Sequence, residues 1–292
     1  MTTDEYHTLP AVSHGRLETF RESRPMYYGR FVTGTLPMKQ PTAAMRLGTI
    51  LHHRLLEPHV EYALAQPCAA TLKSGPRKGQ PCGAPAKRRD GNGWWWCGDH
   101  ATAVAIQPER LLTPADAVLV DGMATALQSD PLTAGILSQP GDNERVFTWS
   151  DRETGLPCKC LCDRWIPEKR LIVNLKTTVD SRPEKFMWQA CSLGYHRTEA
   201  WYRAGVQAAL FDGGERLTHL FVVVRNEPPF ETAVYQYGER EVFEARQQNR
   251  EDLAALAACV ASGKWDAPTQ GVITALTLPR YEYRNEETYG EY

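Results

Sequence analysis

Asn174 and Lys176 stand two residues apart in RLIVNLKT at positions 170–177, an otherwise apolar run typical of a buried β-strand. Side chains alternate along a strand, so these two lie on the same face. Asp163 lies on the preceding predicted strand, 157–166, just before a short turn, and can therefore come close to them. An acid and a lysine buried in a sheet carry a desolvation cost. They form either a buried ion pair or part of a metal-dependent phosphodiesterase, in which carboxylates hold Mg²⁺ or Mn²⁺ against a phosphate and a lysine lies near the attacking water.

A second group of residues has the spacing of a zinc site, C-x13-C-x14-C-x2-H: Cys68, Cys82, Cys97 and His100. Zinc binds four such ligands in a tetrahedron, and one tight turn places both ligands of the C-x2-H pair. Because four protein ligands leave no position for water, we expect the zinc to be structural. The alternative is four scattered residues that never meet.

The segment around these residues, 66–101, is rich in Gly, Pro, Lys and Arg and shows no convincing periodic pattern. It cannot bury a core of its own, so a bound metal would explain its folding. We predict an inserted zinc-binding module at 66–101 and a main domain formed by 1–65 and 102–292. Arg88 and Arg89 are its candidate DNA contacts. The Trp run at 94–96 is either a platform on which bases stack or packing that seats the module, and we favour packing.

The composition is that of an ordinary globular protein, with 292 residues and a formal net charge of −2, which neither indicates nor excludes nucleic-acid binding. The start lacks the apolar segment of a signal peptide, and no apolar run is long enough for a membrane helix. We therefore expect a cytoplasmic protein whose eight cysteines do not form disulfides. Four of them are expected to be buried thiols rather than ligands of an iron–sulfur cluster: Cys158, Cys160, Cys162 and Cys191.

The chemical residues need a scaffold, and the periodicity of the chain predicts a mixture of helices and strands. The predicted helices are 11–30, 43–57, 114–128, 183–204 and 239–262, and the predicted strands are 145–150, 157–166, 170–177 and 217–224. Ser13 is the candidate N-cap of the first helix, and Met45, Leu51 and Leu55 are the candidate buried stripe of the second. This order predicts an α/β core with helices packed on a mixed sheet.

An Asp, a turn and a strand that carries acid-x-Lys is the signature of the PD-(D/E)xK nuclease superfamily. The chain resembles its RecE-type (exodeoxyribonuclease VIII-like) phage branch over most of its length outside the insert. Four segments carry this resemblance: YHTLPAVSHGRLETFRESRPMYY, LGTILHHRLLEP, DRWIPEKRLIVNLKTT and LGYHRTEAWYRAG. The resemblance implies a restriction-endonuclease-like core, a central mixed sheet flanked by helices, with a small zinc-binding insertion.

The resemblance also implies roles for single residues. His52 matches the metal-ligating histidine of the family, whereas His53 would point elsewhere on the helix. Asp163 matches the first metal-binding acid, the carbonyl of Leu175 is a candidate backbone ligand, and Lys176 matches the catalytic lysine.

The helix motif Q-x-x-x-Y of the family is matched only in part. Tyr202 matches its tyrosine, and Tyr195 precedes it by two turns on a similar face. Thr198 stands where the family has Gln, and it can donate a hydrogen bond but reaches less far. These three residues are the candidate DNA contacts in this part of the chain.

Asn174 stands where the family has an acid, an Asp by expectation. Its amide offers only a neutral oxygen to Mg²⁺, a cation that favours carboxylates. We therefore expect severely weakened metal binding and little or no cleavage by the chain as it stands. Three explanations fit: an Asp→Asn change introduced to trap a complex, which we favour; a naturally inactive DNA-binding relative; and a displaced acid that takes over, such as Glu144.

The function implied is a Mg²⁺-dependent deoxyribonuclease that degrades linear double-stranded DNA from an end in phage recombination, in the host cytoplasm if phage-encoded. DNA ends, a single-strand annealing protein and further copies of the chain, arranged as a ring, are the expected partners. One alternative is a non-catalytic DNA-end-binding or regulatory protein on the same fold. Another is a structure-specific or restriction-type endonuclease.

Overall fold

Two long apolar strands and the turn between them organise the fold, which is described from a computed structural model covering residues 3–102, 104–105, 110–211 and 216–277. The helices are α1 Thr3–Thr8, α2 His14–Glu22, α3 Arg24–Tyr27, α4 Ala43–Leu56, α5 Pro114–Ser129, α6 Pro131–Leu137, α7 Pro183–Ser192, α8 Tyr195–Leu210 and α9 Glu239–Ser262. The strands are β1 Ala63–Leu64, β2 Arg88–Arg89, β3 Trp95–Trp96, β4 Leu111–Leu112, β5 Asp142–Ser150, β6 Pro157–Ile166, β7 Leu171–Thr178, β8 Thr218–Arg225 and β9 Thr232–Tyr235. Single turns of π-helix at Tyr28–Val32 and of 3₁₀-helix at Pro167–Lys169 complete the list.

Five of the strands form one mixed sheet in the order β5-β6-β7-β8-β9. All neighbours are antiparallel except β7 and β8, which run parallel. A parallel pair needs a long crossover connection, and α7 and α8 supply it. The α/β class, the mixed sheet and the flanking helices are thereby confirmed.

Helices cover both faces of this sheet. One face packs against α2, α8 and α9, and the other packs against α4 and α5. The strand β7 divides its side chains between the two cores, because Ile172 lies in the first while Val173 and Leu175 lie in the second. This is the alternation expected of a strand that is buried on both faces.

The helix boundaries follow local capping. Ser13 accepts a hydrogen bond from the Arg16 backbone N–H and begins α2, which confirms the predicted N-cap. The predicted helix 11–30 is nevertheless wrong in length, because the extended backbone of Ser23 ends α2 and then caps α3.

The predicted helix 183–204 is also wrong as a single unit, because Gly194 adopts a φ of 68° and separates α7 from α8. Few residues other than glycine adopt that conformation.

Two side-chain predictions need correction. Met45 does not belong to the buried stripe of α4, since it is exposed, whereas Leu51 is fully buried and Leu55 partly so. Cys191 is exposed on α7 and is not a buried thiol. The other three cysteines in question, Cys158, Cys160 and Cys162, are free and buried in the first core, as predicted.

The segment predicted as an insert has a small core of its own. Cys68, Ala86, Trp95 and Cys97 are buried together, and β2 pairs antiparallel with β3. The chain enters this segment after β1 and leaves it before β4, and these two strands pair in parallel. These contacts support a separate packing unit, and the boundaries at 66 and 101 stay a prediction. In the part of the chain that the structure describes, no helix is both long and apolar enough to span a membrane.

Candidate metal-binding site

The hairpin of β6 and β7 brings Asp163 next to Asn174 and Lys176. The Asp163 carboxylate accepts a hydrogen bond of 2.7 Å from the Leu175 backbone N–H and one of 3.3 Å from the Asn174 side-chain amide. The ammonium nitrogen of Lys176 lies 3.9 Å from the same carboxylate. The register Arg164↔Val173 produces this arrangement, because Asp163 and Asn174 are the next residues on their strands, on the side away from the turn.

His52 approaches the hairpin from α4, which packs against β7. Its Nε2 lies 3.0 Å from the carbonyl oxygen of Leu175 and 3.3 Å from Asp163 Oδ2. Burial alone lowers the pKa of His52, but the neighbouring carboxylates of Asp163 and Glu144 outweigh it and leave that pKa raised. His53 points elsewhere, as predicted, with its Nδ1 2.7 Å from the Tyr62 hydroxyl.

Glu144 is a further member of the site. Its Oε1 lies 3.6 Å from His52 Nδ1, on the side of the ring away from Leu175. Burial, with the Asp163 charge adding to it, raises the pKa of Glu144. From the sequence, Glu144 is only one candidate to replace the acid missing at position 174. Composition and spacing do not determine how β5 pairs with β6, so they could not place Glu144 in the site.

The donor set fits a divalent cation. One ligand atom from each of His52, Glu144 and Asp163 lies within 4.8 Å of the others. Oε1 of Glu144 is buried and has no hydrogen-bond partner among the described residues. Two carboxylates, an imidazole and a backbone carbonyl suit Mg²⁺ or Mn²⁺.

Behind Asn174 lies a buried polar chain that sequence reasoning missed. His219 Nε2 lies 2.7 Å from Asn174 Oδ1, and His219 Nδ1 lies 3.7 Å from a carboxylate oxygen of Glu199. Burial lowers the pKa of His219 well below its usual value, so the ring is neutral and donates to Asn174 through Nε2. Burial raises the pKa of Glu199 to about 7, although the nearby Arg203 opposes this. The available signal was a histidine within the apolar run THLFVVV.

The predicted DNA contacts on α8 have different surroundings. The Tyr195 ring stacks on Phe221, and the Lys176 ammonium lies 5.6 Å from its centre. The Tyr202 ring stacks on His219 with 6.0 Å between ring centres. Thr198 is buried, with its hydroxyl 3.2 Å from His14 Nδ1 on α2, and no hydrogen bond among the described residues joins it to Asp163 or His52.

The four predicted zinc ligands come together. Ligand atoms of Cys68, Cys82, Cys97 and His100 all lie within 4.8 Å of one another. His100 Nδ1 lies 3.2 Å from the Cys97 sulfur and 3.7 Å from the Cys68 sulfur. Three thiolates and one imidazole form a donor set that zinc prefers.

The aromatic and basic residues of this segment divide between core and surface. Trp95 is buried in the small core, whereas Trp94 is 59 % exposed. Trp96 donates a hydrogen bond of 2.8 Å from its indole to Asp90. Arg88 and Arg89 are exposed on β2, where Arg89 also donates to the Gly93 carbonyl. Packing therefore accounts for Trp95, and Trp94 is left on the surface with the arginines.

Comparison with known proteins agrees with the fold. The model of a family described as "PDDEXK-like domain of unknown function (DUF3799)" matches residues 13–272. No curated protein matches the chain. Among solved structures, the chain is similar to the crystal structure of a protein from Eubacterium rectale named "Putative exonuclease", with a TM-score of 0.60 and 12% identity over 96% of each chain. At that identity the likeness concerns the fold alone.

Proposed function

The chain belongs to the DUF3799 family of PDDEXK-like domains, and from that premise we propose that it is a Mg²⁺-dependent deoxyribonuclease acting on the ends of linear double-stranded DNA. The observation that carries the proposal is the convergence of His52, Asp163 and the Leu175 carbonyl, with Lys176 beside them. A nuclease-like fold is shown by the family. The metal, the substrate and the direction of attack are proposals.

Each residue of the site has a role in phosphodiester hydrolysis. His52, Asp163 and the Leu175 carbonyl would hold the cation, which supplies Lewis-acid stabilisation of the phosphate when bound. In the reaction, the water gives up one proton to solvent as its oxygen forms a bond to phosphorus. The bond from phosphorus to the leaving sugar oxygen breaks, and that oxygen takes up a proton from solvent. Lys176 lies 3.9 Å from Asp163 and places a positive charge where negative charge develops.

Asn174 makes this site weaker than its carboxylate form. The amide adds no negative charge, and its oxygen accepts a hydrogen bond from His219. We propose that metal is held less tightly and that cleavage is slow or absent in the chain as it stands. Restoring Asp at position 174 is expected to recover cleavage.

The test compares the chain with its Asn174→Asp variant on end-labelled linear duplex and on covalently closed circles, with Mg²⁺ and with chelator. We expect the variant to degrade linear DNA only, and only with Mg²⁺. Cutting of closed circles would indicate an endonuclease instead. If neither protein cuts while both bind DNA in a salt-sensitive manner, the chain is a non-catalytic DNA-binding relative.

The partners and the metal of the insert are part of the same proposal. Zn²⁺ on Cys68, Cys82, Cys97 and His100 would fold the insert, whose exposed Arg88 and Arg89 would contact DNA phosphates. We further propose a ring-shaped homo-oligomer around DNA and an annealing protein that receives the single strand in phage recombination. Light scattering that gives only monomer at working concentration would exclude the ring.

A further inference from the structure

The orientation of Asn174 prevents it from replacing the acid that the site lacks. Its Nδ2 donates to Asp163 Oδ1 over 3.3 Å, and its Oδ1 lies 2.7 Å from His219 Nε2. The side of the amide that faces Asp163 is therefore an N–H donor and not an oxygen. With this hydrogen bonding, position 174 offers no oxygen ligand beside Asp163, so a second carboxylate for a cation must come from another position.

Glu144 is placed to be that carboxylate. The pairs Asn143↔Arg164 and Arg145↔Cys162 lie on either side of Glu144 and Asp163, so the two acids occupy the same level of neighbouring strands. The nearest carboxylate oxygens of the two acids lie within 4.8 Å of each other. Like charges at such short separation repel, and a cation bound between the two carboxylates would offset that repulsion.

Among the described residues, the ion-pair neighbour of the Glu144 carboxylate is His52, with Nδ1 3.6 Å from Oε1, which is longer than a hydrogen bond. The Glu144 side chain is 13% exposed, and Oε1 is buried without a hydrogen-bond partner. Its backbone has a φ of 47°, a left-handed conformation that residues with a side chain rarely adopt. A strained backbone and a buried carboxylate oxygen without a hydrogen bond both lower stability, and such features concentrate at functional sites.

We propose that Glu144 is a metal ligand of this chain and supplies the carboxylate that Asn174 lacks. The inference rests on the proposed function, since it concerns the same cation as His52 and Asp163. The resulting set has two carboxylates, one imidazole and the Leu175 carbonyl. The chain as it stands therefore binds Mg²⁺ or Mn²⁺ at this site even with Asn at position 174.

The experiment measures Mn²⁺ binding by calorimetry, with the free ion followed by electron paramagnetic resonance. We expect the Glu144→Gln variant to bind Mn²⁺ about tenfold more weakly or worse. Gln at position 144 still offers an oxygen to His52. If Glu144 only oriented the His52 ring, the Glu144→Gln variant would therefore keep most of its Mn²⁺ affinity. The Asp142→Asn variant removes an exposed acid from the same strand and should bind Mn²⁺ as the unchanged chain does. The Asp163→Asn variant should lose binding.

A second readout separates a ligand from a structural residue. Without metal, Glu144→Gln removes a buried carboxylate that is repelled by Asp163 and should raise the urea midpoint of unfolding, whereas loss of a structural contact would lower it. Unchanged Mn²⁺ affinity in Glu144→Gln, or a lowered urea midpoint together with lowered affinity, would overturn the role of Glu144. The proposed metal-dependent function would still stand if Asp163→Asn abolished Mn²⁺ binding. If Asp163→Asn has no effect either, the proposed function itself fails.

Discussion

Two hydrogen bonds fix the amide of Asn174, one to Asp163 and one from His219. Without a cation, a carboxylate at position 174 would face the Asp163 carboxylate directly and repel it. The Asn174 amide replaces that repulsion with a hydrogen bond, so the metal-free site is more stable with Asn than it would be with Asp. In return, position 174 contributes no negative charge to the binding of a cation.

His219 is the residue that holds the Asn174 oxygen, and its replacement tests the arrangement. In the His219→Leu variant a buried carbonyl oxygen loses its donor, so the free energy of unfolding should fall by about 1–3 kcal/mol. His219→Gln keeps an N–H and should recover part of this loss. Urea unfolding measures both, and His59→Leu on the surface serves as the control. A His219→Leu variant as stable as the unchanged chain would show that the hydrogen bond contributes nothing.

The sequence could place some of these residues and not others. Asp163, Asn174 and Lys176 were brought together correctly because a short turn leaves two successive strands little choice of register. His52 entered only through the resemblance to a nuclease family, since nothing in a helix pattern tells which sheet position it meets. Glu144 and Glu199 depend on the packing of distant elements, which no local pattern records.

At the scale of elements, apolar runs and caps predicted most of the sheet and the long helix α9, whose predicted range 239–262 agrees with the structure. Strand β9 escaped prediction because its four residues are only half-buried and show no clear alternation. The break between α7 and α8 was not predicted, because a single glycine can also occur inside a helix. Only the backbone angles show that Gly194 is left-handed and separates the two helices. Local pattern thus gives the type of an element more reliably than its end.

The segment around β2 and β3 is the part of the fold that the proposed zinc would stabilise. Its buried core is small, so loss of zinc should unfold it while the five-stranded sheet remains. We expect one zinc per chain by metal analysis and its loss in the Cys82→Ser variant. Limited proteolysis should then cut within 66–101.

The exposed Cys191 provides the matched control, because Cys191→Ser should keep both zinc and protease resistance. A zinc-free chain whose 66–101 segment resists protease as before would contradict a structural metal.

At the scale of the whole molecule, net charge gives little guidance, since the chain as a whole carries −2. The Lys and Arg residues of the insert are offset by acids elsewhere. The fold is shared over 96% of the length with a protein of 12% identity. Fold alone does not fix function. The proposed nuclease function therefore depends on whether the polar residues of the candidate metal-binding site catalyse hydrolysis.

The most direct test of that claim is single-turnover cleavage of end-labelled linear duplex by the Asn174→Asp variant with and without Lys176→Met. Lys176 lies beside the proposed metal ligands but is not one of them. The account predicts a cleavage rate lowered at least about 100-fold with Mn²⁺ affinity within about twofold, and no change with the exposed Lys169→Met. Cleavage that survives Lys176→Met would contradict the assignment of this site as the catalytic centre.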